Sequence, residues 1–184
     1  MLRIAAASIK YGLQHFQAPD VNLNQYSEKL TDNYATFITL EMNGHLRGCI
    51  GSLLAHRPLA EDISSNAYAA AFQDPRFSPL EQSEYENLDI HVSILSTPEK
   101  MEFDSEQSLL NQIQPGIDGL ILTDDGHRAT FLPSVWESLT SKELFLSELK
   151  QKAGLNKNHW SNTIQFEKYT TFSFGGKLRE ISKT

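Results

Sequence analysis

Cys49 is the only thiol in the chain, and it lies in the run Leu46-Arg47-Gly48-Cys49-Ile50-Gly51, two residues after an arginine and bracketed by glycines. A thiolate is a nucleophile, and a neighbouring guanidinium favours its charged form. Residues two apart on a strand lie roughly 7 Å apart at Cα, within reach of a long arginine side chain. Glycine inside a strand marks a bulge or the close approach of another backbone or ligand. Arginine is suited to bidentate recognition of carboxylate or phosphate. These types and spacings predict a cleft lined by Arg47, Cys49, Asp74, Arg76 and Ser93, with Gly48 and Gly51 admitting a ligand. Cys49 would be the nucleophile, and Arg47 or Arg76 would orient an anionic group.

The same residues have plainer readings. Free cysteine is among the most buried residue types and packs as a small hydrophobe. Both arginines can be held in internal ion pairs, for example with Glu41, Asp62 or Asp74. Asp74-Pro75-Arg76-Phe77 can be a helix stop and turn with Phe77 as a core anchor, and serine on a half-exposed strand such as Ser93 is ordinary. No histidine is fixed beside the thiol. His45 lies about 13 Å away along the strand, and His56, His91 and His127 can approach only through the fold.

Other chemistries find little support. There is no CxxC or HExxH spacing for a metal. The glycines at 116–119 and 125–126 read as turns, without the pattern or following helix that a phosphate cradle needs. A formal net charge of −7 and the lack of a Lys/Arg run argue against nucleic acid or an anionic membrane as partner. No stretch approaches the length of a membrane span, and Lys10 interrupts the apolar start too early for a signal-peptide core. A lone cysteine forms no internal disulfide, which fits a soluble protein of the reducing cytoplasm.

The elements that position Cys49 begin with a hairpin. Asn43-Gly44 is a two-residue turn signal, since a type I′ turn needs φ > 0 at both central positions. With Met42 and His45 flanking it, Leu40 would face Arg47, Ile38 would face Cys49, and Phe37 would face Ile50. His45, Arg47 and Cys49 would then share one face, with Leu46, Ile50 and Phe37 on the other. A bulge at Gly48 would reverse the faces beyond it. Apolar residues at helical spacing (Leu2, Ile9, Leu13 and Phe16) predict a helix over 2–16, followed by a polar loop over 17–33. A second helix over 58–73 opens at Pro58 and buries a stripe of Leu59, Ile63, Ala67, Ala70 and Ala71.

Residues 88–96 alternate, with Leu88, Ile90, Val92 and Ile94 inward and Asp89, His91 and Ser93 outward. A short helix is expected over 105–113, and a second hairpin over 119–132 turns at Asp125-Gly126. Thr140-Ser141-Lys142-Glu143 reads as a capping box for a helix running to Ala153, with Gly154 as its C′ residue. A last strand spans 164–174, with Ile164, Phe166, Phe172 and Phe174 on one side. Hairpins without β-α-β alternation predict one α+β domain over 1–184, a mainly antiparallel sheet flanked by helices, with room for a small second lobe forming a cleft.

The hexapeptide at 46–51 resembles the LRGCIG signature of the AMMECR domain family, whose bacterial and archaeal members are often labelled AmmeMemoRadiSam system protein A. Further blocks follow in the family's order: 58–62, 66–72, 74–77, 92–95, 116–120 and Phe131-Leu132-Pro133-Ser134-Val135-Trp136-Glu137. The resemblance extends to about Phe174. It brings no established activity or cofactor, but it implies association with a Memo-like protein and a radical SAM enzyme. Two classes of function follow: a cysteine-centred enzyme or enzyme-system component, acting on a small molecule or a protein side chain, or a non-catalytic binding or scaffold module in which Cys49 is packed.

Overall fold

A computed structural model describes residues 1–181 and divides the chain into two compact units. The first comprises Met1–Leu95 with the residues from Phe172 onward, and the second is Ser96–Thr171. The class is α+β, with two antiparallel four-stranded sheets and six α-helices among the described residues.

In the first unit the sheet order is β2-β1-β3-β8, with β1 Thr36–Met42, β2 His45–Gly51, β3 Leu88–Leu95 and β8 Thr171–Lys177. Asn43 and Gly44 form the predicted turn, both at positive φ. Ile38, Leu40, Ile90 and Val92 are fully buried in one core with Ile4 and Ile9 of helix α1 (Leu2–His15) and Ile63 of helix α3 (Leu59–Phe72). The whole predicted stripe of α3 is buried. Its alanines let the helix axis come close to the sheet. In α1 the inward positions are Ile4, Ala5, Ala6, Ser8, Ile9 and Gly12, whereas Phe16 is the left-handed C-cap at φ 58° and is exposed rather than part of the stripe. The polar stretch that follows contains two single turns of helix, a 3₁₀ turn at Leu23–Gln25 and α2 at Glu28–Thr31.

The second unit has its own core and a sheet of order β4-β7-β5-β6, with β4 Glu99–Lys100, β5 Gly119–Asp124, β6 His127–Phe131 and β7 Gln165–Tyr169. Leu109 of helix α4 (Glu106–Gln112), Leu120, Leu122 and Phe166 pack with Phe145 and Leu149 of helix α5 (Lys142–Lys152). Trp136 stacks on Phe145 at a ring separation of 3.8 Å and donates its indole N–H to the Asp118 carbonyl. The cap of α5 falls one residue later than the capping-box spacing predicts: Ser141, in extended conformation, accepts from the Leu144 N–H. Gly154 follows the helix at positive φ, as its C′ role requires.

The stretch read as one strand over 164–174 is two. The chain leaves β7 at Tyr169 and enters β8 at Thr171, so Phe166 is buried in one core, Phe174 packs on the other, and Phe172 is exposed. A short terminal helix, α6 (Leu178–Ile181), ends the described residues.

Candidate functional site

The hairpin register starts as the turn dictates, with Met42 opposite His45 and Glu41 opposite Leu46. It then shifts by one, so that Leu40 pairs with Gly48, Thr39 with Cys49, and Ile38 with Ile50. The extra residue is Arg47, so a bulge absent from the predicted register falls one position before Gly48. Opposed residues share a face. Leu46, Cys49 and Gly51 therefore lie on the side of Glu41, Thr39 and Phe37, while Ile50 joins Ile38 and Leu40 toward the core, and His45 joins Met42. The predicted separation of Cys49 from Ile50 holds. The grouping of His45 with Cys49, that of Leu46 and Phe37 with Ile50, and the pairings of Leu40 with Arg47, Ile38 with Cys49 and Phe37 with Ile50 do not.

Gly48 is required by the fold itself. A Cβ there would run into the Ala70 carbonyl oxygen of α3, so the close approach anticipated at this glycine is made by the chain's own helix backbone. At Gly51 the space is taken by the Phe37 ring and the Thr36 carbonyl. At both glycines the space a Cβ would take is filled by the chain's own atoms.

Strand β2 is the edge of its sheet, and an edge strand presents unpaired backbone groups. At Cys49 both are engaged by the turn after α3. The Cys49 N–H donates to Asp74 Oδ2 at 2.9 Å, and Arg76 Nη2 donates to the Cys49 carbonyl at 3.4 Å. Asp74 and Arg76 are locked together by Nε to Oδ1 at 2.9 Å and Nη2 to Oδ2 at 2.7 Å. The Arg76 hydrogen bond, with the Cys49 N–H assisting, holds the Asp74 carboxyl well below the usual carboxylate range, and Asp74 in turn raises Arg76. Asp74 is buried, whereas over half of the Arg76 side chain remains exposed.

Arg47 has a different fate. It is buried, and its guanidinium takes both oxygens of Glu84, Nε to Oε1 at 2.7 Å and Nη2 to Oε2 at 2.9 Å, while Nη2 also reaches the Ser78 carbonyl. The hydrogen bond to Glu84 raises Arg47, and the same bond lowers Glu84. Phe77 has the Arg47 guanidinium at 5.8 Å and that of Arg76 at 5.5 Å from its ring centre.

The thiol itself is half-buried, with Sγ 3.3 Å from Thr39 Oγ1. Thr39 pairs in turn with His91 of β3, so Cys49, Thr39 and His91 form one cross-strand row on the face opposite α1 and α3. His91 Nε2 is 3.7 Å from Glu41 Oε2. Ser93 is on the same face, diagonal to this row, and shares a 2.8 Å hydrogen bond with Ser173. Cys49, Asp74 and Arg76 are thus brought into contact, Arg47 is joined to them through Phe77, and Ser93 stands two strands from Cys49. Among the described residues, no group of three or more His, Cys, Asp or Glu is arranged to hold a metal ion.

Sequence reasoning missed Glu84 and Thr39 as members of this neighbourhood and left His91 as one of three histidines that only the fold could bring near. The outward alternation of 88–96 does place His91 on the polar face. Thr39 was hidden by the bulge, and no local signal ties Glu84 to Arg47 across 37 positions.

Comparison with known proteins matches the geometry to a family. A protein of Sulfolobus acidocaldarius is 37% identical over the whole of this chain and 81% of its own length. Protein SSO0193 of Saccharolobus solfataricus is 37% identical over 87% of this chain and 72% of its own. Among solved structures, the uncharacterized protein PH0010 from Pyrococcus horikoshii superposes with a TM-score of 0.88 at 30% identity, covering 95% of this chain and 89% of that one. The AMMECR1 family model matches residues 2–174, which takes in both compact units and every residue of the Cys49 neighbourhood, and the chain belongs to the AMMECR1 family.

Proposed function

We propose that the chain acts through Cys49 as the reactive thiol of an enzyme or enzyme-system component in the reducing cytoplasm. Arg76 anchors an anionic group of the substrate. The reading rests on one observation: a half-buried thiol is held on a strand whose edge is clamped by an Asp74–Arg76 pair with an open guanidinium. Such a frame fixes the sulfur without enclosing it. Thr39 is the immediate hydrogen-bonding partner of the sulfur, and His91 stands beside it in the cross-strand row with its Nε2 3.7 Å from Glu41 Oε2. Arg47 belongs to the frame, because Glu84 and Ser78 take its Nε and Nη2, while Nη1 is buried with no hydrogen-bond partner. The substrate is a small molecule or a protein side chain, and the Memo-like and radical SAM proteins implied by the sequence resemblance are the expected partners.

A second reading, a non-catalytic binding module, is favoured by the absence of an imidazole bonded to Sγ among the described contacts and by the internal use of Arg47 and Asp74. The two readings part in a labelling experiment. Native protein and its Arg76→Gln variant are alkylated with iodoacetate and with iodoacetamide, and the rate ratio is referred to N-acetylcysteine. A guanidinium near the sulfur at the protein surface should favour the anionic reagent by about 1 kcal/mol, roughly fivefold. That preference should vanish in Arg76→Gln. Equal ratios in both proteins remove Arg76 from the role, and inertness to both reagents favours the binding module.

A further inference from the structure

In the second unit β4 pairs with β7 over Glu99 and Lys100 only, and the Met101 N–H still reaches the Phe166 carbonyl. Beyond that point the two segments part, and a cavity of about 410 Å³ lies between residues 100–104 on one side and 160–167 on the other. That volume falls in the range of small-ligand sites, roughly 300–1,000 Å³. Two aromatic rings stand in a mainly polar lining: Phe103 meets Trp160 edge-on at 5.6 Å, and the buried Phe166 backs Phe103 at 5.7 Å. Glu102, Asp104 and Glu167 also line it, against a single cation, Lys100. Lys100 stands directly opposite Glu167 in the ladder, so those two charges offset each other. Glu102 and Asp104 are left as the excess charge of the cavity. Aromatic faces and carboxylates together favour a cation.

The wall is rigid for a reason independent of any ligand. Asp124 is buried and accepts from His159 Nε2 at 2.6 Å, Ser161 Oγ at 2.8 Å and Thr163 Oγ1 at 2.7 Å. One carboxylate therefore ties down the loop that carries Trp160 and Asn162 into the cavity. The fold already displays the interaction at this ring: Lys150, buried and bonded to Glu106, holds its ammonium 5.3 Å from the Trp160 ring centre. Asn162 and Gln165 add hydrogen-bonding groups to the lining, which suits an ammonium bearing N–H donors better than a fully methylated one.

We infer that this cavity binds a primary alkylammonium group on an aliphatic stem, whether the end of a free polyamine or the side chain of a lysine in another protein. This site is separate in sequence and unit from Cys49 and does not depend on the thiol reading.

Trp160 supplies the readout, because the other tryptophan, Trp136, is buried against Phe145. Full-length protein is titrated with cadaverine, with N-acetyl-lysine methylamide, and with neutral 1,5-pentanediol, and the indole emission is followed. The expected result is a saturable change with the amines and none with the diol. Trp160→Phe should abolish it, and Glu102→Gln/Asp104→Asn should weaken it at least tenfold with the far-UV spectrum unchanged. Tighter binding of cadaverine identifies a polyamine as the source, and tighter binding of the lysine amide identifies a protein side chain. No saturable change, an equal response to the diol, or full affinity in the double variant overturns the inference.

Discussion

The guanidiniums of Arg47 and Arg76 lie near one phenylalanine ring, and their partners give them opposite duties. Arg47 is buried against a half-buried Glu84, and truncating it removes its hydrogen bonds to that carboxylate and to the Ser78 carbonyl. Arg47→Ala should therefore lower stability by about 1.5–3 kcal/mol in urea unfolding, the usual worth of hydrogen bonds between charged groups. Cys49→Ala removes one half-buried sulfur and should cost less than about 1 kcal/mol. A thiol that were a core anchor would reverse that order. Asp74 adds a pH signature. Its carboxyl titrates lower in the folded chain than in the unfolded one, chiefly through its Arg76 hydrogen bond. The stability it contributes is therefore full above the unfolded carboxylate value of about 4 and is lost as pH falls toward the lower folded value. The difference in unfolding free energy between the native protein and Asp74→Asn should be constant from pH 5 to 8 and should shrink steadily below about pH 4. A difference independent of pH would show that Asp74 acts by packing alone. The residue types of this neighbourhood could be read from the sequence; which arginine was free could not, because that depends on Glu84, 37 positions away.

At the scale of the element, β2 is an edge strand treated as though it had a neighbour. Asp74 accepts and Arg76 donates at Cys49, where an adjoining strand would do both. This fixes the backbone at the one position where thiol geometry matters. Gly48 makes the arrangement possible by letting α3 come against the strand. Gly48→Ala forces a Cβ onto the Ala70 carbonyl. Backbone meets backbone there, so relief requires moving a helix or a strand, and a loss of about 3 kcal/mol or more is expected in thermal or urea unfolding. A near-neutral Gly48→Ala would contradict the close packing. The hairpin, its turn and the helical stripe were legible because each is a local pattern: Asn43-Gly44 for φ > 0, and apolar spacing for the stripe. The bulge at Arg47 was not. It arises from seating Gly48 under α3 while the turn keeps Met42 opposite His45, a conflict between two constraints distant in sequence.

Across the whole molecule, alternating strands and amphipathic helices predicted the α+β class, and the two cores bear it out. The handover between cores at residue 170 escaped the pattern, since Ile164, Phe166, Phe172 and Phe174 keep one alternation while serving different sheets. Periodicity reports burial and carries no label for which core does the burying. No helix among the described residues is long and apolar enough to cross a membrane. The family match spans both units, and the central claim rests on one atom of the first. The most direct test is the second-order rate of alkylation of Cys49 by neutral iodoacetamide, measured from pH 6 to 9 on native protein and on the urea-unfolded chain. An open, clamped thiol predicts native rates within about tenfold of the unfolded chain at every pH, reached without unfolding. Native rates slower by a thousandfold or more, tracking the equilibrium for global unfolding, would show that Cys49 is packed and that the thiol is not the working group.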